Sequence, residues 1–361
     1  TAPVGTTGSP QGRATSTAAC LSPPLAVRGG HGAAMTTPAD EISLFDGDSV
    51  VAALPHLLGF RPTDSLVLLW FDGARLRLTE RIDIPSPGGS SAGRVHGLVP
   101  EDAVNSCTGV VAVLVTDMDG DVSDAVTFAD AVCAHVHERG LAIFDLVLTS
   151  GDHWRSLYCE DPRCCPPEGR VISAKTRAAA AERFAFTGRR ILADRAAVAA
   201  QVAVDPAAAA QTAIYLPASP RRPRRGDPWR DGAITAIIEA VTGRPGSIQP
   251  NRRARLMYDL ADIRVRDTVL WDLANADLDA VARASISLAM LTRSAPEAVC
   301  APVATCCAIA SWLVGDSVLA SASIDRALAV EPDYGLALLV RSALQAGWPA
   351  VRWRDRGRKL A

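Results

Sequence analysis

The sequence predicts an α/β fold: a mixed, mostly parallel sheet flanked by helices, followed by an all-helical domain with one tetratricopeptide-like hairpin. Three observations predict it. Apolar runs at 109–116 and 142–149 enclose an amphipathic stretch ended by Gly140, the strand–helix–strand signature of a parallel right-handed crossover. A third apolar run, 65–71, leads through Asp72 and Gly73 into an alternating segment, which marks a hairpin. Beyond residue 228 every patterned stretch has helical periodicity.

Taken in order, residues 1–38 form a leader rich in Thr, Ser, Gly, Pro and Ala, expected to be disordered. They lack a basic start followed by an apolar core, so a signal peptide is not expected, and Met35 is the expected true start. The α/β domain is expected over 39–216. Its first helix, 49–58, should break near Pro55 and close at Gly59 in a left-handed cap. The run 65–71 has no polar interruption, as in a strand covered on both faces, whereas 75–84 alternates and should keep one wet face. A helix start with Pro and acids follows at 100–106. The strand 109–116, the helix 121–139 and the strand 142–149 complete the crossover, and 153–159 should return antiparallel. Helices are then expected at 173–186, 194–204 and 206–214.

A stiff basic linker, 217–228, leads to the helical domain, 229–350, and a basic tail, 351–361. Seven helices are expected there, at 229–242, 251–262, 265–275, 278–292, 295–314, 317–330 and 334–346. Gly315, Ala320, Ala327 and Pro332 stand at the offsets of one tetratricopeptide unit, though Ala304 and Cys307 replace its bulky early positions. One unit cannot build a solenoid, so the expectation is a single capping hairpin.

Composition narrows function more than it names it. With 48% hydrophobic and 21% charged residues over 361 positions, the chain is long enough for two globular domains. A formal charge of −2 gives no global attraction to nucleic acid; basic clusters stand at 221–225, 252–253 and 352–359, and the one in the linker lacks interleaved aromatics. The longest apolar run, 300–314, is too short to cross a bilayer and contains Pro302. Nine cysteines without regular spacing, in a chain needing no disulfide staples, fit reduced thiols in a cytoplasmic setting. The P-loop, dinucleotide-binding, zincin and serine-hydrolase motifs are not found in the sequence.

The segment 158–169 (YCEDPRCCPPEG) concentrates three cysteines and three prolines. Together with 54–66 (LPHLLGFRPTDSL), with Val265, Arg266 and Asp267, and with the stretch 325–334, it resembles a family of actinobacterial proteins, the domain of unknown function numbered 4192. The resemblance runs from about Ile42 to about Trp348. What it implies is modest: the family's name assigns no activity, and no catalytic residue carries over.

Three candidate sites follow from residue chemistry. Cys159, Cys164 and Cys165 are soft metal ligands, with His153 or Glu168 available to complete four-coordination. Their spacing departs from the paired cysteines of structural zinc sites, and a reactive thiol, a Cys159–Cys164 disulfide near Arg163, or a plain structural corner are the competing readings. His56, Arg61 and Asp64 surround a helix-to-strand turn that could hold an anion, or could simply satisfy local backbone donors. Asp117 and its acidic neighbours follow a buried strand at the rim where α/β sheets bind ligands. However, Gly120 falls too early for a calcium loop, and acids also suit a helix start. His135 and His137 point to different helix faces and cannot chelate together.

The leading expectation is a non-catalytic binding or interaction module, with a protein partner on the helical domain and a small ligand on the sheet rim. The alternative is an enzyme, metal-dependent in one form, whose site joins Asp64, Asp117 and the cysteine segment at one sheet edge. The sequence specifies no cofactor.

Overall fold

The protein is described by a computed structural model over residues 47–85, 99–116, 120–185, 190–218 and 228–350. The expected leader, the basic tail, most of the linker and Asp117 lie outside the described residues.

Helix α1 (Gly47–Leu58) runs straight through Pro55, where a break was expected. Proline removes one donor and crowds the preceding turn, but the break is averted here because the helix buries Val50 to Leu54 and Leu58 in the core on either side of Pro55. The expected cap is present: Gly59 has φ 78° and its N–H donates to the Pro55 carbonyl at 2.9 Å. Strands β1 (Ser65–Asp72) and β2 (Arg75–Asp83) form the hairpin, with Gly73 at φ 58° in the turn. The short helix α2 (Glu101–Ser106) precedes β3 (Gly109–Val115). Helix α3 (Ser123–Glu138) then carries the chain to β4 (Ala142–Ser150), which lies parallel to β3. A tight turn with Gly151 at φ 56° reverses into β5 (His153–Ser156), and β6 (Arg170–Val171) adds a two-residue edge.

The six strands form one mixed sheet in the order β2-β1-β3-β4-β5-β6. The expectation of a mostly parallel sheet is corrected here, since β3–β4 is its one parallel pair among the described strands. A parallel neighbour needs a crossover of a dozen or more residues. Helix α3 supplies one, whereas the two-residue turns after β1 and β4 permit only antiparallel return.

Alternate residues divide the apolar strands between two faces. Leu66, Leu68, Trp70, Ala112, Leu114, Leu146 and Leu148 face Phe128, Ala129, Val132 and Val136 of α3. Val67, Leu69, Phe71, Val111, Val113 and Val147 face α1 and the helical half. Both faces are therefore dry, which is why these strands read as unbroken apolar runs. The three runs centred near Leu68, Val113 and Val147 do lie side by side.

Three helices, α4 (Ala174–Phe184), α5 (Arg195–Ala199) and α6 (Pro206–Ala213), lead to the helical half. Ser173, Asp194 and Asp205 cap them through side-chain acceptors, and α5 stops well short of its expected end. Seven helices follow: α7 (Trp229–Thr242), α8 (Pro250–Leu260), α9 (Ile263–Asn275), α10 (Leu278–Arg293), α11 (Glu297–Leu313), α12 (Ser317–Val330) and α13 (Gly335–Gln345). Helix α11 is the hub, with every residue from Val299 to Leu313 buried. It turns into α12 through Gly315 at φ 79°, and the two helices form a hairpin. One apolar cluster runs without a break from α1 and the sheet into the helical half as far as Val340. No helix among the described residues is long and apolar enough to cross a membrane.

The β3–β4 contact leaves no room at Gly109, where an added Cβ would stand 2.5 Å from the Ala142 carbonyl oxygen. Backbone cannot yield as a side chain tip can, so Gly109→Ala should lower unfolding stability by about 2–3 kcal/mol. Urea unfolding checks this; an unchanged midpoint would contradict the strand contact.

Candidate functional site

The cysteine segment is a loop anchored at its entrance to β4 and at its exit to β5. At its entrance the Leu157 N–H donates to the Leu146 carbonyl at 2.8 Å, extending the β4–β5 ladder by one bond. The Ser156 hydroxyl donates to Asp145 at 2.6 Å and accepts from the Tyr158 N–H at 3.2 Å. Cys133 of α3 lies close enough to Tyr158 to feel it, and burial pushes the Cys133 thiol up to about 11. At the exit Gly169, at φ 81°, donates to the Pro166 carbonyl at 2.9 Å, and Arg170 and Val171 pair with β5.

Between these anchors Asp161 organises a tight turn. Its carboxylate accepts from the Arg163 backbone at 2.9 Å and from the guanidinium at 3.2 and 3.1 Å, bonds that hold the carboxyl below the usual range. Its carbonyl accepts from Cys164 at 3.0 Å and Cys165 at 2.8 Å. The turn folds both cysteines back toward Cys159, so that the three Sγ atoms lie within 4.8 Å of one another. Cys165 is buried, while Cys159 and Cys164 keep partial exposure. Burial, followed by the neighbouring thiols, pushes Cys165 up to about 12. A group of thiols in one another's field ionises only with difficulty, unless a cation offsets the charge. Neither His153 nor Glu168 joins the group at that distance.

The second candidate set lies elsewhere. Asp64 adopts φ 40°, the sole non-glycine residue with positive φ among those described, and its carboxylate accepts from the Thr116 hydroxyl at 3.4 Å. It therefore closes the turn into β1 beside the carboxyl end of β3. Arg61 donates its backbone N–H to Leu192 at 3.2 Å. His56 stacks on Phe184 of α4, with centroids 5.2 Å apart and planes 8° from parallel; burial first, then the Arg61 charge, lowers its pKa. That imidazole is a packing group between α1 and α4.

Sheet order sets the distance between the two sets. Asp64 borders β1 and the cysteine loop leaves β5, which puts three strand spacings, about 14 Å, between them. The single edge site imagined for Asp64 and the cysteines is not assembled, and Asp117 falls outside the described residues.

A family model described as "Domain of unknown function (DUF4192)" matches residues 48–350. The chain belongs to this family. The DUF4192 match takes in the turn at Asp64, the cysteine corner and the helical half alike. Neither a curated protein nor a solved structure matches the chain.

Sequence reasoning passed over Glu80. It sits on β2 opposite Leu68, on the face shared with Leu66, Trp70 and Ile82, and accepts from the Trp70 indole at 3.2 Å. Burial pushes its carboxyl up to about 8. The signal was available: Glu80 is the one charge in the alternate positions Leu78, Glu80 and Ile82 of an otherwise apolar strand face.

Because the folded state holds this proton more tightly than the unfolded chain, Glu80 favours folding at low pH, and the benefit is lost as pH rises from about 4.5 through about 8. Glu80→Gln, which keeps the acceptor, should flatten stability over that window and gain on the order of 2 kcal/mol above it, a figure reduced from the full shift for residual exposure. Parallel pH profiles for the two proteins in urea unfolding would refute the buried carboxyl.

Proposed function

We propose that the protein is a binding module rather than an enzyme, and that its helical half docks a protein partner. The observation that carries this reading is the outward face of α10. Ile286 and Met290, one turn apart, are 52% and 43% exposed. Val204, 44% exposed, adjoins the same helix end, because the Asp205 N–H donates to the Arg293 carbonyl at 2.8 Å. The opposite face of α10 buries Ala284, Leu288 and Leu291, so the strip is held on a rigid support. Large apolar side chains grouped on a rigid surface favour association, and a preformed helix face loses little entropy on docking.

The α11–α12 hairpin has the tetratricopeptide-like positions Gly315, Ala320 and Ala327, but α11 is filled on all sides. On this reading the hairpin organises the helical core and α10 meets the partner. The competing enzyme reading, built on Asp64 beside the cysteines, is disfavoured by the three strand spacings between them. A reducing, cytoplasmic setting belongs to the same proposal, since closely spaced thiols stay reduced only where oxidants are scarce.

Photo-crosslinking tests the docking face. A benzophenone amino acid at position 286 should give a discrete protein adduct in cells, and Met290→Asp should abolish it without shifting the melting temperature. The same probe at exposed Lys175 on α4 is the control. Equal adducts from positions 286 and 175, or an adduct indifferent to Met290→Asp, would remove the proposal.

A further inference from the structure

Cys159, Cys164 and Cys165 have the donor number and spacing of a three-sulfur metal site. Sulfurs bound to one ion at about 2.3 Å stand about 3.8–4.0 Å apart. Three Sγ atoms already within 4.8 Å need only small side-chain rotations to close on such an ion. The backbone beneath them is set in advance by the Asp161 turn, by Pro162, Pro166 and Pro167, and by the two ladder anchors. Little ordering entropy is therefore left for binding to oppose. Cys165 gives the site a dry inner side, and the partial exposure of Cys159 and Cys164 gives it an open outer one.

We propose that these three cysteines are the protein ligands of a single thiophilic d10 cation, Zn2+ or Cu+, with the outward side of the ion open. Each sulfur donates a lone pair to the ion and releases its proton to solvent, and no electron is transferred. The two ions share this chemistry and differ in what completes it. Three thiolates satisfy Cu+, whereas Zn2+ takes a fourth ligand from water or an incoming molecule. A closed four-ligand zinc site is a different arrangement, because no fourth Cys, His, Asp or Glu among the described residues reaches the same distance. This assignment is independent of the α10 surface.

The test uses the full chain, reduced, stripped with a chelator and titrated anaerobically with Zn2+ and with Cu+ against a chromophoric competitor. Co2+ serves as the spectroscopic stand-in for Zn2+. One ion per chain is expected. Cys159→Ser and Cys164→Ser should each weaken it by more than the roughly tenfold to hundredfold cost of losing an outer-shell partner, while Cys107→Ser should leave it unchanged. A tetrahedral cobalt spectrum with thiolate charge transfer would assign Zn2+; one-to-one uptake of Cu+ alone would assign Cu+. Melting curves of the stripped variants, which should match that of the stripped wild-type chain, separate ligand loss from misfolding. The assignment is overturned if neither ion binds the reduced chain, if the two serine variants bind as the wild-type chain does, or if Cys159 and Cys164 form a disulfide under the same reducing conditions.

Discussion

Strands β1, β3 and β4 carry apolar side chains to both faces, so the sheet cannot stand in water until each face is covered. Burying a residue such as Leu66 or Phe71 is worth about 1.5–3 kcal/mol, and each face carries several. Helix α3 covers one face directly because the crossover must return there. The other face has α1 as its local cover, and the apolar cluster beyond it runs on into the helices after residue 228. The helical half is thus part of the sheet's own core. That continuity also explains α11, whose residues are buried on every side because it lies inside the shared interior rather than on a free surface.

A sheet dry on both faces has nowhere central to keep polar chemistry. Polar groups are pushed to strand ends and to the flank, and the two candidate sets obey this. Asp64 closes a turn at the end of β1 and uses its carboxylate on Thr116. The cysteine segment hangs from the β5–β6 flank, where the last strand is only two residues long and the chain is free to bulge. Glu80 is the exception that shows the cost. A carboxyl kept on a dry face holds its proton to about pH 8 and leans on the Trp70 indole for its remaining bond.

Local features were legible in the sequence because their physics is local. The Asp72–Gly73 hairpin, the Gly59 cap and the Gly315 turn each depend on residues a few positions apart, and the β3–α3–β4 crossover on three consecutive elements. What was not legible depends on long-range pairing. Nothing in 65–71 or 109–115 states that those runs lie antiparallel, and that pairing both removes the mostly parallel sheet and fixes how far Asp64 stands from the cysteines. Pro55 misled because local propensity favours a break, while burial of α1 holds the helix together. The three sulfurs could be named but not gathered, since their meeting depends on the Asp161 turn, which sets two cysteines back over the one before it.

The cysteines themselves show which thiols the fold uses for packing and which it leaves able to act. Cys306 and Cys307 on α11 are fully enclosed, and burial pushes them up to about 12 and about 11. Cys307 contacts the Ser285 carbonyl and the Ser323 hydroxyl, behaving as a small group that fits among polar neighbours inside the core. No ion reaches them without opening the helical interior. At the corner burial again comes first in raising Cys165, but Cys159 and Cys164 beside it keep partial exposure. Access and grouping, rather than proton affinity, set the corner apart. Three sulfurs meet there on a backbone that the Asp161 turn has already fixed, so a single positive charge would relieve the mutual repulsion of their thiolates together.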